Sequence, residues 1–166
     1  IEEAEAIYNW SLEQDFCDPD NLYISGHSQG GLICTCIAPK INPKAMVLWA
    51  PALNQYYGAS LRARTMMGPT EKGWDIEGLE LSRDFIEEIR KMDLRSMARG
   101  YEKPTLLIHG TEDELVPVDV AYVYQDIYGE HMRLELIEGA NHQFRSLKWK
   151  QQVYDGSVKF LLEQNS

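Results

Sequence analysis

Three side chains in this sequence have the types, and the order along the chain, of a nucleophile, an acid and a base: Ser28, Asp113 and His142. Ser28 lies in Gly26-His27-Ser28-Gln29-Gly30, which fits the pattern G-x-S-x-G. A serine hydroxyl is a weak nucleophile until a base takes its proton, and the base needs an acid to fix its tautomer and stabilise the imidazolium. The chemistry open to such a set is acyl transfer through a covalent serine intermediate. Glycines on either side of the serine suit a strained strand-to-helix turn in which the two backbones pass close together. The amide after the serine, that of Gln29, then sits at a helix N-terminus. There it can donate to a developing oxyanion, helped by the helix dipole.

The base must come from four histidines. His27 is the variable position of the serine turn and is expected to point away from the serine's task. His109 ends an apolar strand and reads as a core histidine, and His131, in a Gly-Glu-His turn, reads as solvated. His142 follows Gly139-Ala140-Asn141 in a loop after a strand, at the sheet edge where catalytic groups gather. The acid is expected after the preceding strand, in Thr111-Glu112-Asp113-Glu114. Glu112 and Glu114 read as solvated loop charges, which leaves Asp113.

The elements that must position these groups follow from the hydrophobic pattern. Ile1–Gln14 has a helical stride, with Glu2, Glu3, Glu5 and Glu13 on its polar side. Asp18-Pro19-Asp20-Asn21 is a turn. Leu22–Ser25 is β-prone, the serine turn follows, and the next helix is expected to end near Pro39. Ala45–Ala50 is an almost unbroken apolar run, as for a parallel strand covered on both faces, so the first part of the chain is a βαβ unit. From Pro51 to Lys103 the character changes. An insertion of about fifty residues is too long for a plain loop and reads as a cap. Within it Ser82 is placed to cap a helix bearing Leu81, Phe85, Ile86, Ile89 and Met92. The sheet pattern resumes with a strand at 104–110, a helix at 118–128, a strand at 132–137 and a closing helix at 149–162.

The 166 residues are 44% apolar and 25% charged, the balance of a globular domain. A net charge of −10 without a basic stripe argues against nucleic acid and against anionic membranes. Cys17, Cys34 and Cys36 have no metal-site spacing and read as free thiols, which fits a reducing, cytoplasmic setting. No cofactor is implied, since no dinucleotide fingerprint, phosphate loop or metal-spaced cluster is present.

Three stretches, Gly26–Gly31, His109–Pro117 and Leu136–Phe144, together resemble the α/β-hydrolase superfamily of serine esterases over essentially the whole chain. Their likeness is greatest to bacterial cinnamoyl and feruloyl esterases, with monoacylglycerol lipases and serine aminopeptidase-like hydrolases as near neighbours. The chain order Ser, Asp, His is that of this superfamily. The resemblance implies an α/β fold, a mostly parallel sheet flanked by helices with an inserted helical cap. It divides the chain into a core (1–50 and 104–166) and a cap (51–103).

It also implies that Ser28 forms an acyl-enzyme, with His142 as base and then acid, Asp113 orienting it, and the Gln29 amide as one oxyanion donor. Tyr56, Tyr57, Met66, Met67 and Trp74 are candidate pocket wall in the cap, Tyr56 and Trp74 foremost. The substrate implied is a small-molecule ester. The family's sheet has further strands, and a loop carrying the second oxyanion amide, ahead of the helix in which this chain starts. The expectation is therefore an N-terminally truncated esterase, completed by an N-terminal segment or by homo-oligomerisation. A reading of another class, a non-catalytic remnant or binding module, stays open at this point.

Overall fold

The computed structural model describes residues 1–53, 67–76 and 79–165. The apolar runs form the middle of a four-stranded sheet in the order β1-β2-β6-β7, every neighbouring pair parallel. Strand β1 is Tyr23–His27 and β2 is Ala45–Trp49, while β6 is Thr105–Gly110 and β7 is Met132–Ile137. All six residues of β6 are buried. Alternation along the central strands explains the unbroken runs, because successive side chains enter opposite faces. Met46, Leu48 and Leu107 belong to one core, with Leu32 and Cys36 of α2 (Gln29–Ile41) and Val120 and Tyr124 of α5 (Asp119–Tyr128). Val47, Leu106 and Ile108 belong to the other, with Val153 and Phe160 of α6 (Leu147–Glu163). Helices therefore cover both faces, as a parallel sheet requires.

Two boundaries differ from the sequence reading. Strand β1 continues to His27, opposite Trp49, because Ser28 N–H still donates to the Trp49 carbonyl (2.9 Å). Helix α2 runs through Pro39 to Ile41 and ends at Asn42, which is left-handed (φ 49°) and returns its amide to Ala38 O at 2.8 Å. A proline already has a helical φ and forfeits one hydrogen bond. Burial of Leu32, Cys34, Cys36, Ile37 and Ala38 outweighs that loss. Helix α1 (Glu2–Leu12) lies over α2, tied by a 2.7 Å ion pair between Glu5 and Lys40, and buries none of its own residues.

The stretch expected as a helical cap carries β structure besides helix. Met67–Pro69 (β3), Gly73–Ile76 (β4) and Leu79–Ser82 (β5) form a small antiparallel sheet, followed by α3 (Arg83–Lys91) and α4 (Leu94–Ala98). Thr70 closes the first hairpin: its amide donates to Gly73 O, and its hydroxyl accepts from the amides of Lys72 (3.3 Å) and Gly73 (2.9 Å). A Cβ on Gly73 would collide with the Leu81 carbonyl. Ser82 Oγ accepts the Phe85 amide at 3.1 Å, the cap read from sequence. Ala98 and Tyr101 return to the first core, where Tyr101 Oη donates to Pro43 O (3.1 Å). No helix among the described residues is long and apolar enough to cross a membrane.

Leu107 is fully buried at the centre of the sheet. Leu107→Ala is expected to lower the unfolding free energy by about 3 kcal/mol, read as a lower urea midpoint at unchanged slope. A loss under about 1 kcal/mol, the size of a surface change, would contradict this placement of the core.

Candidate active site

Between β1 and α2 the chain reverses on Ser28, whose φ of 54° and ψ of −119° are unusual for a residue with a side chain. The turn is possible because of its neighbours. A Cβ on Gly26 would collide with the Gly30 carbonyl, and one on Gly31 would stand 2.9 Å from Pro51 Cβ. Ser28 N–H donates to Trp49 O (2.9 Å), and Ser28 O accepts the amides of Leu32 (3.1 Å) and Ala52 (2.9 Å). The strained residue is thus held from both sides by the end of β2 and the loop after it. Gln29 is the first residue of α2, where backbone amides have no intrahelical acceptor. Ser28 is half-buried and Gln29 exposed.

Asp113 and His142 meet in the interior. His142 Nδ1 donates to Asp113 Oδ2 at 2.7 Å, and the carboxylate is fully buried. Asp113 Oδ1 accepts the amides of Leu115 (2.9 Å) and Val116 (2.8 Å). Burial pushes the Asp113 carboxyl up. Hydrogen bonds from His109 and His142 and from the Val116 amide outweigh it, and the group is held far below the usual carboxylate range. With Nδ1 committed to Asp113, the Nε2 of His142 is the nitrogen left to take a proton. No hydrogen bond joins Ser28 Oγ to His142 among the described residues. Such bonds are often long before substrate binds.

Two loops close around this pair. Gly139 N–H donates to Thr111 Oγ1 (2.8 Å), Glu112 N–H to Ala140 O (3.0 Å) and Thr111 N–H to Ile137 O (3.1 Å). A Cβ on Gly110 would strike the Ala140 carbonyl, so the loops bearing Asp113 and His142 approach this closely because residue 110 has no side chain. Glu112, Glu114 and His131 are exposed, as read from sequence.

Two histidines depart from the sequence reading. His109 is buried, as expected, but it touches the site. Its Nε2 donates to Val116 O (2.9 Å) and lies 3.4 Å from Asp113 Oδ2, while its Nδ1 has no partner among the described residues. His27 does not point away. Its Nε2 donates to the backbone carbonyl of His142 (2.8 Å), and the two rings lie 4.8 Å apart at 35°. The strand end at Gly110 was a usable signal for His109; for His27, which faces a loop over a hundred residues later, sequence held none. Tyr56, Tyr57 and Met66 lie outside the described residues. Trp74 is on β4, where its backbone pairs with Pro69 and Leu81.

The sequence profile described as the prolyl oligopeptidase family matches residues 1–166. The chain belongs to the prolyl oligopeptidase family. Among solved structures, this family member is similar to Est1E from Butyrivibrio proteoclasticus, at a TM-score of 0.79 and 22% identity over 97% of this chain and 67% of that one. Est1E with bound ferulic acid matches at 0.79 and 21%, over 98% and 66% of the two chains. The esterase domain of a Rhodothermus marinus protein matches at 0.74 and 18%, over 99% and 68%. A stretch of 71 residues, 40% of this chain, is 39% identical to part of the non-reducing polyketide synthase Preu3 of Preussia isomera, of which it covers 3%. At these structural identities the likeness is one of fold, and the fold is that of the α/β-hydrolases. The chain spans about two thirds of the esterases' length.

The depressed Asp113 pKa sets a pH signature. In acid the unfolded chain binds a proton at residue 113 that the folded chain refuses, so this group's stabilisation is complete above about pH 4 and is lost as pH falls below it. Asp113→Asn is expected to cost about 2 kcal/mol at pH 7. The gap to the wild type should narrow as unfolding is measured at successively lower pH; a gap unchanged down to about pH 3 would contradict the charged, fully bonded carboxylate.

Proposed function

We propose that this chain carries the catalytic centre of a serine carboxylic-ester hydrolase working through an acyl-enzyme. The observation behind the reading is the buried 2.7 Å contact between Asp113 Oδ2 and His142 Nδ1, linked through His27 to a serine in a strained turn at a helix N-terminus. Ser28 Oγ attacks the ester carbonyl carbon while its proton passes to His142 Nε2. The Gln29 amide donates to the oxygen that gains negative charge. The tetrahedral species collapses, the carbon–oxygen bond to the alcohol breaks, and His142 returns the proton to the leaving alcohol. Water then attacks the acyl-serine, again giving its proton to His142. The acid leaves, and Ser28 recovers its proton. Asp113 keeps His142 in one tautomer and stabilises its charged form.

The substrate we favour is a feruloyl, cinnamoyl or other aryl or short acyl ester, from the sequence resemblance and the fold shared with Est1E, a structure of which holds ferulic acid. In this reading residues 51–103 form a cap over the core of 1–50 and 104–166, with Tyr56 and Trp74 in the wall of the acyl pocket. The partner is a small ester, with neither nucleic acid nor membrane involved. Free thiols at Cys17, Cys34 and Cys36 fit a cytoplasmic setting. Burial pushes the thiols of Cys34 and Cys36 up to about 11, so they do not compete as nucleophiles. Membership of the prolyl oligopeptidase family favours one second reading, hydrolysis of a peptide or aminoacyl amide by the same groups.

A fluorophosphonate probe should add one equivalent of mass to the folded protein and none to Ser28→Ala. His142→Ala should abolish labelling on the same timescale, and Asp113→Asn should lower turnover on the order of 10⁴-fold. A folded wild type that stays unlabelled would sink the hydrolase reading. Turnover of methyl ferulate compared with a monoacylglycerol and an aminoacyl anilide then separates the substrate classes. A preference for either of the last two would overturn the aryl-ester assignment.

A further inference from the structure

The sheet order places the nucleophile and the base on opposite outer strands. Ser28 follows β1 and His142 follows β7, with β2 and β6 between them. Three strand spacings of about 4.8 Å separate the two strands by roughly 14 Å, so the base loop must lean across the sheet to reach the serine. Its described backbone ties run to the acid loop, through Thr111 and Glu112. The tie to the serine turn comes from the residue beside the nucleophile. His27 Nε2 donates to the His142 carbonyl (2.8 Å), and its ring lies 4.8 Å from the His142 ring and 6.2 Å from that of Phe144. Phe144 is itself buried and left-handed (φ 47°), so the loop bends around the His27 ring.

We propose that His27 is a positioning residue for the reaction: it clasps the base loop to the nucleophile turn and so sets where the His142 imidazole stands relative to Ser28. The proposal rests on the serine hydrolase reading given above. Its chemistry needs a neutral ring with the proton on Nε2. The carbonyl of His142 demands that proton, and burial holds the His27 pKa below the ordinary histidine value. The donor acts on the backbone of His142 and the ring face on its side chain. Position and orientation of the base are thereby coupled to the covalent neighbour of the nucleophile. An error of an ångström in such an alignment costs on the order of 10²-fold in rate.

The test uses the natural protein carrying this sequence, with His27→Phe and His27→Gln, each checked for thermal unfolding. Phenylalanine keeps a ring and removes the donor, whereas glutamine keeps a donor of similar reach. His27→Phe is expected to lower kcat roughly 10- to 100-fold with KM within about twofold, and to slow fluorophosphonate labelling by the same factor. His27→Gln should recover most of that loss. In proton NMR the far-downfield line of the Nδ1–H between His142 and Asp113 should broaden by exchange in His27→Phe and sharpen again in His27→Gln. Wild-type kcat and an unchanged line in His27→Phe would overturn the proposal and leave the hydrolase reading standing. So would parallel loss of stability and turnover in both variants, the mark of mere packing. A wild type no more reactive toward the probe than Ser28→Ala would remove the hydrolase reading and this proposal together.

Discussion

A carboxylate kept charged in a dry interior needs a donor for nearly every lone pair, because stripping an ion of water costs several kcal/mol. Asp113 is met from three segments at once: the amides of its own loop and His142 from the loop after β7 donate to it, and His109 of β6 stands 3.4 Å away with its Nε2 proton shared with the Val116 carbonyl. Those segments converge because β6 is buried along its whole length and pairs with β7 in parallel register, bringing both strands to their C-terminal ends side by side. The short bends after Gly110 and Ile137 then place Asp113 and His142 within a hydrogen bond of each other. The serine reaches the same edge from β1, and its turn is bound to the end of β2. The order of the strands thus brings three dispersed residues to one rim.

Around that rim the backbone departs from ordinary conformations. Ser28, Ala50 and Phe144 all have positive φ, and all lie at or beside the site; Asn42 is the one such non-glycine residue elsewhere among those described. Each costs on the order of 1–3 kcal/mol and persists where its surroundings over-determine it. Ala50 shows how: its amide donates to Ile108 O (2.8 Å), its side chain is buried, and the next residue, Pro51, rests against Gly31. Tyr124 adds a bond from its hydroxyl to Ala52 O (2.8 Å), fixing the same loop from the helix layer. Local rules are broken here, and the stable core nearby absorbs the cost.

Much of this was legible in the residues. The unbroken runs Ala45–Ala50 and Thr105–Ile108 named the central strands, since a strand buried on both faces cannot alternate with polar residues. The glycines about Ser28 named the turn, and the strand ends pointed to Asp113 and His142, which the fold brings within a hydrogen bond of each other. Local signals failed where tertiary contact decided. Pro39 argues for a helix end, yet the apolar face of α2 is held against the sheet and carries the helix past it. Strands β3, β4 and β5 have three or four residues each, too few to show a period, and the turn between β3 and β4 depends on the hydroxyl of Thr70. His27 gives no local sign of its contact, because its partner lies 115 residues away along the chain, whereas Asp113 and Val116 follow His109 within seven residues.

Gly110 has a consequence for how such a chain can change by descent. Its missing side chain lets the Ala140 carbonyl come down on the end of β6, and that contact sets the separation of the loops bearing Asp113 and His142. Any replacement at 110 wedges those loops apart, and a residue inserted on one side alone shifts acid against base. Segments 110–113 and 137–142 are therefore mechanically one unit, and a change in either is expected to call for a matching change in the other, although 23 residues lie between them.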